Sequence, residues 1–112
     1  MFLPNDDNGD ALRRLLAEGD DLSLPRNVDF TVVFPDQASA EGFARDLEEL
    51  GYRVAVKLTE CKQEFPWDVV VAKRMQPSHQ EIEEFESLLQ KTADVWGGHN
   101  DGWGCFTHPR QQ

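Results

Sequence analysis

The pattern of hydrophobic and polar positions predicts three strands. In residues 26–34 every second side chain is a large apolar one, which is the pattern of a half-buried strand. Residues 52–58 and 65–72 alternate in the same way, and Pro66 favours a strand start or an edge position. Only a short turn around residues 62–64 separates them, so we expect these two strands to form an antiparallel hairpin.

Apolar residues that recur every three or four positions predict three helices, at residues 11–18, 37–50 and 79–96. Each helix has a start signal: Asn8-Gly9-Asp10, then Asp36, then Ser78 with Glu81 three residues later. A glycine ends each of them, at Gly19, Gly51 and Gly97.

The segment after the last predicted helix contains four glycines in residues 97–104, which indicates repeated bends of the backbone. Trp103 and Phe106 add apolar anchors that a disordered tail would lack. We therefore predict a small ordered loop here and place the best candidate for a functional site in it. A fourth strand could come only from residues 103–107.

The order of these elements predicts a single domain over residues 1–112, with an ordered core at about 9–106. The predicted fold class is α+β: a ferredoxin-like two-layer sandwich, with an antiparallel sheet, helices packed on one face and an extra N-terminal helix. The second sheet face is too apolar to be fully wet. Either the first helix covers part of it, or the face mediates self-association. Its residues are Thr31, Val33, Ala55, Val70 and Ala72.

The chain is strongly acidic, with 21 Asp and Glu against 11 Lys and Arg and a net charge of −10. Such a field repels nucleic-acid phosphates, so we expect no direct contact with RNA or DNA. It favours basic partners such as Arg-rich protein segments, although it could also serve only solubility. No apolar run is long enough for a membrane span, and the acidic start is unlike a signal peptide. We therefore expect a cytoplasmic protein.

Catalytic and metal-binding motifs are weak in this sequence. It has no Gly-rich phosphate loop and no Gly-x-Ser-x-Gly elbow, so we predict neither an enzyme nor a cofactor. His99, Asp101, Cys105 and His108 are possible zinc ligands, but their spacing fits no established pattern, and we predict no metal site. We interpret Cys61 and Cys105 as packed free thiols.

The motif Asp101-Gly102-Trp103-Gly104, directly after a helix that ends in Trp96-Gly97-Gly98, resembles the end of the regulator of ribonuclease E activity B family. The first helix, the order of the strands and the junction at Gly51-Tyr52 agree with that family, over about residues 9–106. One departure stands out. Well-known members carry a longer N-terminal helix and an acidic C-terminal extension, whereas this sequence ends in His108-Pro109-Arg110-Gln111-Gln112.

The resemblance implies a ferredoxin-like domain without catalytic activity, which binds ribonuclease E and restrains RNA decay. It nominates Asp101, Gly102 and Trp103 as partner-binding residues. Two acidic helix segments are further candidates for the contact, although solvated helix faces often look the same; they are represented by Glu48, Glu49, Glu83 and Glu84. The alternatives are a small-ligand or metal-binding module and a structural homodimer of the same fold.

Overall fold

The computed structural model describes residues 7–17, 19, 24–59 and 64–104. The predictions made for Cys61, Cys105, Phe106 and His108 lie outside these residues. The described elements, in chain order, are α1 (Asp7–Ala17), β1 (Arg26–Phe34), α2 (Gln37–Glu49), β2 (Arg53–Leu58), β3 (Trp67–Met75), α3 (His79–Asp94) and β4 (His99–Gly104).

The four strands form one open sheet in the order β2-β3-β1-β4, and all neighbouring strands are antiparallel. The hairpin of β2 and β3 is confirmed, with Val54 opposite Val71. The central strands β1 and β3 pair along their whole length, from Arg26 opposite Met75 to Phe34 opposite Trp67. The mixed helix-and-sheet class is thereby confirmed for the described part of the chain.

The core lies between one face of this sheet and the helices. The side chains of Phe30 and Val71 are fully buried there, together with Phe43 of α2 and Leu89 of α3. Leu12 of α1 is also fully buried in this core, and α1 packs against α3. Thus α1 lies on the helical side, and the expectation that it covers the opposite sheet face is wrong.

The helix starts follow local hydrogen bonds. The Asp36 carboxylate accepts from the Ser39 backbone N–H at 2.8 Å, which lowers the pKa of Asp36, and Ser78 Oγ accepts from the Glu81 N–H at 3.2 Å. These two predicted caps are confirmed. The first helix, however, begins at Asp7 rather than after Asp10. Asn8 does not serve as its cap, because the side chain reaches across to α3.

Two strand predictions needed correction. The third strand begins at Trp67 and continues to Met75 rather than ending at residue 72, because its last residues pair with the start of β1. Residues 99–104 form a strand rather than the predicted loop. This fourth strand starts four residues earlier than the only stretch we considered for it. It satisfies the backbone groups along the outer side of β1.

Candidate functional site, a protein-binding surface

A β-bulge in β4 determines where the side chains of the Asp101–Gly104 motif lie. Phe30 of β1 pairs with Trp103, and Val32 pairs with Asn100. One residue of β1 therefore faces two residues of β4, Asp101 and Gly102. Gly102 has φ +101°, a backbone conformation that glycine adopts at little cost and that recurs in bulges.

The bulge reverses the normal alternation of side chains. In a regular strand, residues three positions apart point to opposite faces of the sheet. Here Asn100 and Trp103 both lie on the helical face, beside the buried residues Val32 and Phe30. Trp103 packs against the core, and its exposed neighbour Asp101 lies at the outer edge of the sheet. The glycine therefore permits the tryptophan to reach the helices.

Hydrogen bonds connect this bulge to α1 and α3. The Trp103 indole N–H donates to Asn8 Oδ1 at 2.8 Å. The Asn8 amide then donates to Glu83 Oε1 at 2.9 Å and to Glu86 Oε1 at 2.7 Å. Asn100 is held on the same side, with Nδ2 donating to the Glu86 backbone carbonyl at 2.9 Å. Asn8 of α1 thus joins α1 and α3 to the edge strand β4.

A groove of about 400 Å³ opens at this junction. We name it the acidic groove, because three of its lining residues carry carboxylates. Asn100 Oδ1 is buried there and accepts no hydrogen bond within the described part of the chain. The groove is lined by Asp7, Asn8, Glu83, Glu86, Asn100 and Gly102.

The electrostatics of the acidic groove are unbalanced. Burial raises the pKa of Glu86, and the negative charge of nearby Glu83 raises it further, against the opposing effect of the Asn8 hydrogen bond. His79 Nε2 lies 3.4 Å from Glu83 Oε1 and can offset part of that charge only when it is protonated. A cation that enters the groove would relieve this repulsion, and its N–H groups would find acceptor oxygens already in place.

The predicted site residues fall into two groups. Gly102 and Glu83 line the acidic groove, Trp103 donates to the lining residue Asn8, and Asp101 adjoins Gly102. Glu84 is exposed on α3 and accepts a hydrogen bond from Gln80, while Glu48 and Glu49 end α2. These last three glutamates do not line the groove.

The other residues that line the groove were not predicted as site residues from the sequence: Asp7, Asn8, Glu86 and Asn100. Glu86 was visible only as one of several glutamates in an acidic helix. The role of Asn8 had no local signal, because its partners are 75 to 95 positions away. Its position just before an amphipathic segment indicated a helix cap instead.

Neither a metal centre nor a membrane span is evident in the described segments. No group of three or more His, Cys, Asp or Glu side chains between residues 7 and 104 is arranged to hold a metal ion, as far as these residues are described. Of the four possible zinc ligands, His99 and Asp101 are described. No helix in the described part is long and apolar enough to cross a bilayer.

Comparison with known proteins identifies the family. No curated protein matches the chain significantly. The model of the family described as regulator of ribonuclease activity B, RraB, matches residues 5–105, which is nearly the whole chain and includes the bulge and all three helices. The family is regulatory, and its name assigns it to the control of a ribonuclease. The chain therefore belongs to the regulator of ribonuclease activity B family.

Proposed function

We propose that this protein is a non-catalytic regulator that binds ribonuclease E and inhibits it, with the acidic groove receiving an Arg or Lys side chain of the enzyme. The family assignment supports regulation of a ribonuclease. The enzyme's identity, the direction of the effect and the surface are our proposal. We also assign the fold as ferredoxin-like, on the strength of its β-α-β-β-α-β order and the helices on one sheet face.

One observation carries this proposal: the family's tail motif and an unbalanced group of carboxylates meet at the same place. Gly102 lines the groove beside Asp7, Glu83 and Glu86. The group that donates a hydrogen bond to both glutamates is the neutral side-chain amide of Asn8. A guanidinium group carries five donors in a fixed fork and a permanent charge, so it suits two neighbouring carboxylates better than an amide does.

The charge of the whole chain is consistent with this mode of action. A protein with a net charge of −10 is repelled by RNA phosphates, so it is a poor competitor of the enzyme for binding to the RNA backbone. We therefore propose that regulation proceeds through contact with the enzyme and not through masking of its substrate. We also propose a cytoplasmic location, shared with the ribonuclease. Electrostatic attraction of this kind speeds association and weakens as salt is added.

A pair of variants with equal charge changes tests the surface. Glu83→Gln with Glu86→Gln removes two of the three carboxylates of the acidic groove while keeping side-chain oxygens that can accept from Asn8. Glu48→Gln with Glu49→Gln makes the same change in net charge at the end of α2. Binding to purified full-length ribonuclease E would be titrated at low and high salt, with cleavage of a defined RNA as the second readout.

The groove variant is expected to weaken binding by about tenfold or more at low salt and to relieve inhibition, because it removes the charges that face the cation. The control variant is expected to change binding by less than about threefold, as for a rim charge. If both variants lost the same amount of binding, only the total negative charge of the protein would matter, and the acidic groove would not be the contact surface. Wild-type protein that fails to bind the enzyme at low salt would overturn the proposed function itself.

A further inference from the structure

The two edge strands of the sheet, β2 and β4, differ in how their outer backbone groups are covered. On β4 the bulge at Asp101–Gly102 interrupts the edge, and the outward N–H of Asn100 donates to Gln90 Oε1 at 3.0 Å. By contrast, β2 pairs with β3 without any shift of register from Arg53 to Leu58. The regular edge of this sheet is therefore the outer side of β2.

The hydrogen-bond pattern identifies the backbone groups that point outward from β2. Just beyond the strand, the Thr59 N–H donates to the carbonyl of Pro66, the residue opposite, at 2.6 Å. Hydrogen-bonded pairs alternate along an antiparallel ladder, so every second residue of β2 turns its N–H and C=O away from β3. These outward residues are Val54, Val56 and Leu58. Their outward groups have no hydrogen-bond partner among the described residues.

The side chains of the same three residues are apolar and incompletely covered. Val54 and Val56 are half-buried against the core, on the helical face of the sheet. Leu58 follows on the same side of the strand and is 56% exposed. An added strand with apolar side chains on this side would cover the surface that they leave open, because cross-strand apolar pairs stabilise a sheet.

The other face of β2 carries positive charge. Arg53 and Lys57 are both exposed there. Asp68 of β3 lies opposite Lys57, yet the Lys57 ammonium group forms no ion pair among the described residues, and Arg74 adds a further cation on this face of β3. A strand added outside β2 would lie about 5 Å from β2 and about 10 Å from β3. Its nearest charged neighbours on this face would be Arg53 and Lys57.

We propose that the outer edge of β2 binds an extended segment of a partner protein, which adds a strand to the sheet. The segment alternates apolar residues on the helical side with acidic residues on the side of Arg53 and Lys57. A second copy of β2 does not fit this edge, because antiparallel pairing about Ala55 would place Arg53 opposite Lys57. The acidic groove lies beside β4, at the opposite edge, so this inference does not depend on the proposed ribonuclease site.

Amide hydrogen exchange of the full chain, followed by NMR, tests the proposal. The probe is a synthetic peptide of about nine residues that alternates valine and glutamate, added to about 2 mM. In the free chain, the N–H groups of Val54, Val56 and Leu58 should exchange fast, and those of Ala55 and Lys57 slowly. The peptide should slow exchange of the three outward groups by about threefold or more. A control peptide has the same composition, with its valines and glutamates in two blocks.

Two variants with equal charge changes test the recognition of acidic residues. Arg53→Gln with Lys57→Gln should weaken peptide binding by about fivefold, because it removes two cross-strand charge pairs. Arg14→Gln with Lys91→Gln makes the same change in net charge at exposed positions of α1 and α3, and should alter binding by less than about twofold. Circular dichroism checks that both variants fold.

Three results would overturn the proposal. Slow exchange of the outward groups in the free chain would show that the edge is already paired. Unchanged exchange at the highest peptide concentration, or equal slowing by the block peptide, would show that β2 does not take up an alternating strand. Equal losses of binding in the two variants would show that Arg53 and Lys57 do not select its acidic residues.

Discussion

The indole N–H of Trp103 donates a hydrogen bond to the side-chain oxygen of Asn8, at 2.8 Å and across 95 positions of sequence. This bond joins the edge strand β4 to the first turn of α1. Because Asn8 also donates to Glu83 and Glu86, the same contact positions the carboxylates of the acidic groove. The tryptophan of the family motif therefore has a structural role in building the surface to which we assign partner binding.

The first prediction concerns this central asparagine. Asn8→Ala removes one acceptor and two donors at a partly buried site, so we expect the free energy of unfolding to fall by about 1–3 kcal/mol. Urea denaturation measures the loss. In a ¹⁵N–¹H spectrum the indole signal of Trp103 should shift, while that of Trp96, bonded to Asp46 at 2.9 Å, should stay in place. An unchanged Trp103 signal would contradict the described junction.

The second prediction concerns the bulge. Gly102→Ala forces an alanine into φ +101°, so we expect a loss of stability of about 1 kcal/mol or more and displacement of Trp103. Gly104→Ala is the matched control in the same strand, because its backbone has no positive φ and an added Cβ meets nothing within 4 Å. Thermal unfolding and tryptophan fluorescence compare them. Equal effects of the two changes would show that the bulge does not depend on Gly102.

The third prediction concerns pH. Burial raises the pKa of Glu86 above its ordinary value of 4.5, so the folded state favours the protonated carboxyl. The ionised group therefore opposes folding at neutral pH, and this penalty disappears as the pH falls through its folded pKa. Glu86→Gln should be more stable than the wild type at pH 7, and the difference should vanish near pH 4.

Urea denaturation at the two pH values measures this effect. Glu84→Gln is the control on the same helix, because Glu84 is exposed. The account fails if the Glu86 variant is no more stable than the wild type at pH 7, or if the control gains as much stability.

The fourth prediction concerns the contact between α2 and Trp96, in the turn that follows α3. A Cβ added at Gly42 would lie 2.5 Å from the Trp96 ring, so Gly42→Ala should destabilise the fold by about 1–3 kcal/mol. If this clash is the cause, the alanine should cost much less when Trp96→Leu is also present. A double-mutant cycle by urea denaturation measures the coupling. Additive effects would contradict a direct contact.

Local signals predicted most of the fold. Alternation located β1 and β2, helical periodicity located α2 and α3, and the caps at Asp36 and Ser78 form as expected. These features depend on residues that are close in sequence. The start of α1 was misplaced because an asparagine near a helix start usually caps it, whereas Asn8 has partners in α3 and β4.

The candidate site was only half visible in the sequence. The motif Asp101–Gly104 borders the acidic groove, but its glycines indicate a loop as readily as a bulge in an edge strand. Which of the glutamates adjoin it depends on how α3 packs beside β4. That packing brings Glu83 and Glu86 to the groove and leaves Glu48 and Glu49 at the end of α2. No local pattern distinguishes these two pairs.

Hydrogen–deuterium exchange of the full chain, with and without full-length ribonuclease E at low salt, tests the central claim most directly. Binding at the acidic groove predicts slower amide exchange in residues 7–17 and 79–104, with residues 37–50 of the α2 region unchanged as an internal reference. Protection confined to residues 37–50, or to β2 on the far side of the sheet, would contradict the proposed surface.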